Sequence, residues 1–450
     1  MIPKACYMNK RKVLLWSVIV SLGGFLFGFD TAVISGAEQS IQQYWHLSSL
    51  QHGLTISIAL IGTIIGALTG SMPSDNLGRK KTLMIIAATY LIASLGTAFA
   101  TNWHLFLLFR LLGGWGVGAS SVTAPVYISE ISPPESRGRM VAMFQFNVVL
   151  GILISYFSNY LIGETGGLSW RWMLGIQALP SLLFLLLLRL IPESPRWLLL
   201  HKGRKEEAAS ILTIINPENA DTVLAGIETN AAQEAASGGG EVLFTRKNKF
   251  PIFLAVAFAI FNQVSGINAI IYFAPRIFEM TGLGRSSSLL STVGIGGVNF
   301  LFTLVAINFI DRIGRRKLML IGSVGLVFTL GLVARSFYLQ DFSGPGIVVY
   351  LLVYIAFFAF SQGAVIWVFI SEIFPNQVRA KGQTLGSFTH WFMAALIAFS
   401  FPVLAEKLGG GHTFLFFTVM MLVQLVFVWK FMPETKGKSL EQIERSLVLH

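Results

Sequence analysis

The chain has 450 residues, of which 54% are hydrophobic and only 12% are charged, and its mean hydropathy is +0.67. In soluble globular proteins about a quarter of the residues are charged, so this composition excludes an ordinary soluble protein. The net charge of +11 would favour nucleic-acid binding in a soluble chain. The basic residues lie where membrane topology requires them, which accounts for the positive net charge. We therefore expect no nucleic-acid partner.

Long apolar runs recur along the whole chain, and each is long enough to cross the ~30 Å hydrocarbon core of a bilayer as a helix. They cover residues 13–36, 53–73, 82–101, 104–128, 140–162, 171–191, 251–274, 287–310, 317–338, 346–371, 383–404 and 413–432. This pattern predicts an all-α integral membrane protein with twelve transmembrane helices.

Lysine and arginine are concentrated in the terminal segments and in alternate loops. The opposite loops carry only a handful, such as Arg171, Arg276, Arg285 and Lys407. The positive-inside rule therefore places both termini in the cytoplasm. The first apolar run is too long for a secretory signal and lacks a small-residue cleavage site, so we expect it to remain as a helix.

Three pairs of motifs recur at spacings of 236 to 242 residues, which indicates a duplicated protein. The pairs are Asp75 to Lys81 with Asp311 to Lys317, Ser129 to Pro133 with Ser371 to Pro375, and Pro192 to Ser194 with Pro433 to Thr435. The repeat predicts two pseudo-symmetric six-helix bundles, residues 1–191 and 251–432, joined by a cytoplasmic linker, 192–250, and followed by a cytoplasmic tail, 433–450. Within the linker, 204–215 and 221–236 favour short helices, and 237–240 favour a flexible hinge.

The sequence offers nothing for enzymatic or metal chemistry. It has a single cysteine, Cys6, and its seven histidines lack metal-ligand spacing. It contains no nucleophile elbow, P-loop or dinucleotide fingerprint in a suitable context. We therefore expect a secondary transporter without a cofactor, rather than an enzyme or an ATP-driven pump.

Four strings, taken together, resemble the sugar porter family of the major facilitator superfamily. They are the two basic turns, Pro192 to Trp197 and Pro433 to Leu440, and the resemblance extends over essentially the whole chain. It implies the major facilitator fold and a monosaccharide substrate. It also implies a protein that works as a monomer in the lipid bilayer, with a bacterial inner membrane as the expected location.

Two charged residues lie inside predicted spans, where a charge costs at least ~2.5 kcal/mol near the helix centre. Asp30 lies in the first span, and Arg110 lies in the fourth, ahead of glycines that permit close helix approach. Both match positions that carry proton coupling in the bacterial sugar/proton symporters, whereas the facilitative glucose transporters lack the acidic residue. The resemblance implies symport with a proton as the coupling ion. A structural ion pair in a facilitated-diffusion uniporter is the alternative.

A neutral sugar is recognised by amides that bond its hydroxyls and by aromatic faces that cover its C–H surface. Buried amides cost free energy unless they are paired, so amides in apolar spans predict a polar cavity. The candidate substrate-binding residues, which match positions of the family, are Gln145, Asn262, Gln263, Asn268, Asn299, Trp367, Trp391, His390, Phe27, Tyr272 and Gly363.

This sequence departs from the family pattern mainly at the candidate pocket. Asn262 stands where glutamine is usual, Ala364 replaces a helix-bending proline, and His390 stands where an amide is common. These departures leave the identity of the sugar open. His390 either contacts the sugar or bonds a neighbouring helix. Aromatic residues in membrane helices more often serve packing than ligand binding, but Trp367 adjoins matched motifs, which favours a substrate contact.

The repeated motifs also carry paired opposite charges, which predict ion pairs at the cytoplasmic membrane edge. The candidate gate residues are Arg79, Glu130, Arg137, Glu193, Arg196, Arg315, Glu372, Arg379 and Glu434. If these pairs form only when the cytoplasmic mouth is closed, they act as a latch that favours the outward-facing state. The alternative is that the basic residues only satisfy the positive-inside rule.

Two further functions compete with sugar transport. A drug exporter of the same superfamily shares the basic turn, but it is not expected to carry the two Pro-Glu motifs and the amides of the seventh span. A sugar sensor that binds without transporting usually has a long cytoplasmic tail, whereas about 18 residues follow the last span. Sugar transport is the favoured function.

Overall fold

The computed structural model describes residues 4–133, 136–163, 168–236, 242–342, 346–375 and 378–437. Regular secondary structure within these ranges is helical throughout, which confirms the predicted all-α class.

Eighteen α-helices and two short 3-10 turns make up this part of the chain. The helices are α1 Lys4–Tyr44, α2 Ser49–Thr69, α3 Ser71–Leu77, α4 Arg79–Phe99, α5 Trp103–Ile131, α6 Arg137–Ile162, α7 Ser169–Gly175, α8 Ala178–Leu187, α9 Pro195–Lys202, α10 Lys205–Ile215, α11 Ala220–Ala236, α12 Lys249–Val264, α13 Ile267–Glu279, α14 Arg285–Ile313, α15 Arg315–Leu339, α16 Gly346–Phe360, α17 Gln362–Ile373 and α18 Arg379–Phe431. The 3-10 turns are Leu188–Leu190 and Arg246–Asn248.

Eleven helical segments of the described chain are long and apolar enough to cross a membrane. The last of them, α18, has 53 residues, more than twice what one crossing requires. Its backbone leaves helical geometry at Gly409, where φ is 75° and ψ is 166°. The break divides α18 into two segments of spanning length, which correspond to the eleventh and twelfth predicted spans.

Several helices extend beyond the apolar runs that predicted them. The first span was expected to end near residue 36, but α1 continues to Tyr44, and α13 continues to Glu279 instead of ending near 274. Apolarity marks the part of a helix inside the hydrocarbon, whereas backbone hydrogen bonds continue through polar residues. Consequently Glu38 and Arg276 are helical residues.

The segment after the sixth span folds into three short helices. The predicted helices at 204–215 and 221–236 appear as α10 and α11, and α9 was not predicted. Ser194 caps α9 by accepting a hydrogen bond from the Trp197 N–H at 3.2 Å, and Gly203 ends it in the left-handed conformation. The predicted hinge at 237–240 lies outside the described residues.

The chain divides into two compact units. The first unit comprises Met1–Thr31, Gly62–Ile152 and Leu174–Gly240, and the second comprises Ala32–Ile61, Leu153–Met173 and Glu241–His450. The second unit draws on both halves of the sequence repeat, whereas the first unit comes from the first half and the linker, so these boundaries differ from the predicted ones. The division into bundles at 192–250 stays a prediction.

In the first unit, α2 and α5 pack with their backbones in close approach. A β-carbon on Gly66 would lie 2.1 Å from the carbonyl oxygen of Trp115, and one on Gly118 would lie 2.1 Å from that of Thr63. Both distances are far below van der Waals contact. Because lipid removes the hydrophobic drive between membrane helices, this close contact supplies much of their attraction.

In the second unit, two membrane spans are broken midway. Gly266, with φ of 86°, separates α12 from α13, and Ser361, with φ of −115° and ψ of −89°, separates α16 from α17. The proline that the family has at Ala364 is therefore not required for a bend in this span. Gly322 admits the bend, because a β-carbon there would lie 1.9 Å from the Ser361 hydroxyl.

Substitution of Gly66 by alanine tests the α2–α5 packing. The added methyl has no space, so we expect a loss of about 1–3 kcal/mol of stability, the usual cost of overpacking. The midpoint of thermal unfolding in detergent measures it. Gly297→Ala is the matched control, because a β-carbon there meets nothing within 4 Å. Equal midpoints for the two variants would contradict the close-packing interpretation.

Candidate transport site and gates

The structure brings Asp30 of α1 and Arg110 of α5 together inside the first unit. Arg110 Nη1 donates a hydrogen bond to Asp30 Oδ1 at 3.1 Å, and the two residues are only 3% and 5% exposed. Gly113 lies beside the carboxylate, and a β-carbon there would meet Oδ1 at 3.6 Å, an ordinary van der Waals distance. The two charges that the sequence places inside spans therefore neutralise each other.

One hydrogen bond holds this pair. Arg110 Nε is buried and has no acceptor among the described residues. A guanidinium can bind a carboxylate through two parallel bonds, so the observed arrangement is weaker than the maximum. A buried pair that is held by one bond is suited to being opened and closed.

In the second unit, three amides and a histidine form a continuous polar network. Asn268 Nδ2 donates to Gln263 Oε1 at 2.6 Å, and Gln263 Nε2 donates to Asn262 Oδ1 at 2.9 Å. Gln263 Nε2 also lies 3.2 Å from each ring nitrogen of His390. The break at Gly266 lets α12 and α13 present amides from both sides of the turn to α18. We call this set the amide network.

Two tryptophans flank the amide network. The ring of Trp367 lies 4.7 Å from that of His390, and the ring of Trp391 lies 4.9 Å from it in an edge-to-face arrangement. Trp367 is 37% exposed, so much of its surface is uncovered. An amide network beside an open indole face has the chemistry that binds a sugar ring and its hydroxyls.

The other predicted substrate residues are distributed over both units. Tyr272 is buried on α13, Asn299 is partly buried on α14, and Gly363 is partly buried on α17, all in the second unit. Gln145, which is exposed on α6, and Phe27, which is partly buried on α1, belong to the first unit.

Tyr354 supports the amide network, and the sequence reasoning missed it. Its hydroxyl donates to the carbonyl oxygen of Ser265 at 3.0 Å, next to the break at Gly266. The free carbonyl of the helix end thus receives a donor from α16. A tyrosine in an otherwise apolar span was the available signal, because a buried hydroxyl requires a partner.

The two basic turns form matching charged clusters, one in each unit. Arg79 donates to both carboxylate oxygens of Glu130, at 3.0 and 3.2 Å, and to Asp75 at 3.0 Å. In the second cluster, Arg315 donates to both oxygens of Glu372, at 3.2 and 2.7 Å, and to Asp311 at 2.7 Å. Two parallel bonds to one carboxylate are a strong form of ion pair. They do not by themselves distinguish a cytoplasmic latch from residues that only satisfy the positive-inside rule.

The Pro-Glu motifs complete both clusters by capping helices. Glu193 accepts from the backbone N–H groups of Arg79 at 2.9 Å and Lys80 at 3.1 Å, at the start of α4. Glu434 accepts from those of Arg315 at 2.9 Å and Arg316 at 3.2 Å, at the start of α15. A carboxylate at a helix N-terminus accepts hydrogen bonds from the free N–H groups there. Its negative charge also interacts favourably with the positive end of the helix dipole.

The glycine of each basic turn makes room for its capping carboxylate. Gly78 and Gly314 have φ of 99° and 98°. A β-carbon on them would lie 2.3 Å from Glu193 Oε2 and 2.5 Å from Glu434 Oε2. Burial raises the pKa of the Glu193 carboxyl above its usual range, although N–H donors from Ser194 and the α4 terminus oppose that shift.

Three of the predicted gate arginines lie elsewhere. Arg137 and Arg196 are exposed, and Arg379 Nη2 donates to the carbonyl oxygen of Phe374 at 3.4 Å. In the described part of the chain, Glu130 and Glu372 pair with Arg79 and Arg315, which begin helices beside them. Each cluster also uses residues of only one repeat, so it braces helices within that repeat.

A third charged cluster was missed. Glu38, Gln42, His52 and Arg276 meet in the second unit; we call it the outer cluster. The predicted first span ended at residue 36, so Glu38 was not counted among the intramembrane charges. In the sequence, Arg276 stands out only as one of the few basic residues in the loops opposite the cytoplasmic ones.

Comparison with known proteins identifies the family. The family model described as "Sugar (and other) transporter" matches residues 16–447. The chain belongs to this family. The chain is 37% identical over 440 residues to the arabinose-proton symporter of Bacillus subtilis, covering 96% of this chain and 94% of the relative. It is 35% identical over 463 residues to the glucose transport protein of Synechocystis, covering 98% and 99%.

A solved structure shares the fold. The inward-open conformation of the xylose transporter XylE from Escherichia coli matches with a TM-score of 0.84 and 33% identity, covering 96% of this chain and 98% of that one. The predicted sugar porter family and major facilitator fold are confirmed. The protein is thus a multi-pass membrane transporter and not an enzyme.

Arg79→Lys tests which arginine holds Glu130. Lysine keeps the charge but loses the bidentate bonds, so we expect a loss of about 1.5–3 kcal/mol, the range for hydrogen bonds to charged groups. The exposed Arg137→Lys is the matched control, and its unfolding midpoint in detergent should stay near that of the unmodified protein. A larger loss in Arg137→Lys than in Arg79→Lys would show that Arg137 is the essential partner.

Proposed function

We propose that the protein imports a neutral monosaccharide together with a proton by alternating access. The observation that carries this proposal is the buried Asp30–Arg110 pair. Membership of the sugar transporter family supports the sugar as cargo, and the arabinose-proton symporter among the relatives supports a proton as the coupling ion.

Protonation of Asp30 is the proposed coupling step. The ionised carboxylate holds Arg110, and a proton that enters from outside neutralises it and releases the guanidinium. Removing one partner of a buried ion pair costs roughly 3–5 kcal/mol. An energy of this size is enough to reverse the populations of two transporter conformations. Sugar binding to the protonated protein then permits inward closure.

The amide network is the proposed sugar site. Asn262, Gln263 and Asn268 supply donors and acceptors for hydroxyl groups, and Trp367 supplies a face for the ring. His390 contacts Gln263 of a neighbouring helix, and we propose that it also contacts the sugar. Gln145, Phe27, Tyr272, Trp391, Asn299 and Gly363 are proposed to complete the pathway.

The basic turns and Pro-Glu motifs are proposed to stabilise the cytoplasmic ends of the helices. On this topology both termini face the cytoplasm, and the protein works as a monomer in the inner membrane of a bacterium. The braces formed by Arg79 and Arg315 keep each group of helices rigid, so that the conformational change occurs elsewhere.

Asp30→Asn separates the proton step from the sugar step. The amide remains uncharged at every pH, so we expect sugar accumulation driven by an imposed proton gradient to fall to the equilibrium level. Counterflow of labelled sugar should persist, because it needs no net proton movement. Both are measured in proteoliposomes. The unfolding midpoint of the variant serves as the folding control, since Arg110 is left without its carboxylate.

Three outcomes of this assay separate the candidate functions. Gradient-driven accumulation that survives in Asp30→Asn would refute the assigned coupling residue. Equilibration without accumulation by the unmodified protein would indicate a uniporter. Sugar binding without uptake would indicate a sensor.

Gln263→Leu tests the sugar site. The substitution removes the central amide and leaves Asn262 and Asn268 without their partner, so we expect the KM for sugar to rise about tenfold or more, equivalent to ~1.4 kcal/mol. Gln424→Leu is the matched control, because Gln424 is a buried amide that bonds Ser323 away from the network. A similar KM for both variants would exclude Gln263 from the site.

A further inference from the structure

The outer cluster lies at the opposite end of its helices from the basic turns. His52 is in the first turn of α2, and this helix of 21 residues ends just before the first basic turn. A helix of that length spans about 30 Å. With the basic turns at the cytoplasmic edge, the outer cluster is at the extracellular side.

The geometry of the cluster is that of a strong ion pair. Arg276 Nε donates to Glu38 Oε1 at 2.9 Å, and Nη2 donates to Glu38 Oε2 at 2.6 Å. Nη2 also donates to Gln42 Oε1 at 2.6 Å. Glu38 is completely buried. The Arg276 side chain is 25% exposed, whereas Asp30 and Arg110 are both buried. Two parallel bonds to one carboxylate hold the Glu38–Arg276 pair in a more definite geometry than the single bond between Arg110 and Asp30.

His52 fixes the orientation of the Glu38 carboxylate. Its Nε2 lies 2.6 Å from Glu38 Oε2 and must carry a proton to donate at that distance. The imidazole is completely buried and packs edge-on against Phe273, with ring centroids 6.0 Å apart. Rotation of the carboxylate away from Arg276 would therefore also break the bond to His52.

The pair connects the two repeats. Glu38 and Arg276 are 238 residues apart, within the 236 to 242 spacing of the repeated motifs, so they occupy corresponding positions in the first helix of each repeat. The cytoplasmic clusters, by contrast, stay within one repeat. A further link at the same end joins Arg285, which pairs with Glu279 at 3.0 Å, to the carbonyl oxygen of Gly36.

We propose that the Glu38–Arg276 pair is an extracellular lock that stabilises the outward-closed state, with His52 as its positioning residue. The lock rests on the proposed alternating access, because sugar can enter from outside only if the first helices of the two repeats separate at this end. A buried ion pair adds little stability compared with apolar packing, so we assign this pair to the selection of one conformation.

The helix α13 links the lock to the amide network. Asn268 lies near its start and Arg276 in its last turn, eight residues apart, and the backbone leaves helical geometry between them at Phe273, where φ is −120° and ψ is 15°. The break at Gly266 allows the axis of α13 to point in a different direction from that of α12. Occupation of the sugar site therefore acts on the same helix that carries the arginine of the lock.

Spin labels at the extracellular ends of α1 and α14 test the lock. Replacing the single cysteine by Cys6→Ser gives a background in which Gln43→Cys and Gly284→Cys are labelled. Both positions are exposed, and a β-carbon at Gly284 meets nothing within 4 Å. Double electron–electron resonance on the full chain in detergent then measures the populations of short, closed distances and long, open ones.

Glu38→Gln should lower the ratio of closed to open populations by about tenfold or more, a typical size for coupling between conformations and contacts. The matched control is Glu207→Gln, which removes an exposed ion pair with Arg204 and should leave the ratio unchanged. If Glu38→Gln does not fold, Arg276→Lys answers the same question, because it keeps the charge and loses the two parallel bonds.

His52 requires a conservative and a disruptive variant. His52→Gln keeps an N–H donor and should retain most of the closed population, whereas His52→Leu should lose it. Equal ratios in these two variants would exclude His52 as a positioning residue. Distance distributions for Glu38→Gln and Arg276→Lys that match the Glu207→Gln control would overturn the lock.

The distance measurement is independent of which sugar or ion is transported. A shift in Glu38→Gln together with failed proton-driven uptake would support the lock and refute the proposed symport. An unchanged distance distribution in Glu38→Gln together with Asp30-dependent sugar accumulation would refute the lock and support the proposed symport.

Discussion

A charged side chain in this fold must find an opposite charge on a neighbouring helix, because the surrounding hydrocarbon offers it no water. Three solutions appear along the chain. The Asp30–Arg110 pair is buried and held by one bond, the Arg79 and Arg315 clusters are bidentate and confined to one repeat each, and the outer cluster joins both repeats. The number of bonds and the choice of partner thus distinguish three proposed roles. Asp30 and Arg110 form a switch, the Arg79 and Arg315 clusters are braces, and the outer cluster is a lock.

Broken helices complement these charges. At Gly266 and Ser361 the backbone leaves the helical path, and the polar groups that become free need partners in the interior. The amides of Asn262, Gln263 and Asn268 cluster at the first break, and the Tyr354 hydroxyl satisfies the carbonyl oxygen of Ser265. The same irregularity therefore supplies a buried polar cluster and a point at which the chain changes direction between α12 and α13.

Sequence patterns predicted the class, the family and the helical spans, because long apolar runs and repeated motifs are local in the chain. They also paired Asp30 with Arg110, since a lone buried arginine needs a carboxylate. The gate roles of Arg137 and Arg379 stay predictions. Spacing shows which charges lie near the membrane edge, but it does not show that Glu130 and Glu372 bond the arginines that begin α4 and α15. The outer cluster was not predicted, because Glu38 lies just beyond the first apolar run. Hydropathy does not show that α1 continues past the end of that run.

The coupling of sugar to proton movement is tested most directly by measuring the pH outside weakly buffered proteoliposomes when arabinose, xylose or glucose is added without an imposed gradient. If Asp30 must be protonated in each cycle, entry of the transported sugar should make the external medium more alkaline, with one proton taken up per sugar. Sugar entry without any change in external pH would contradict proton symport.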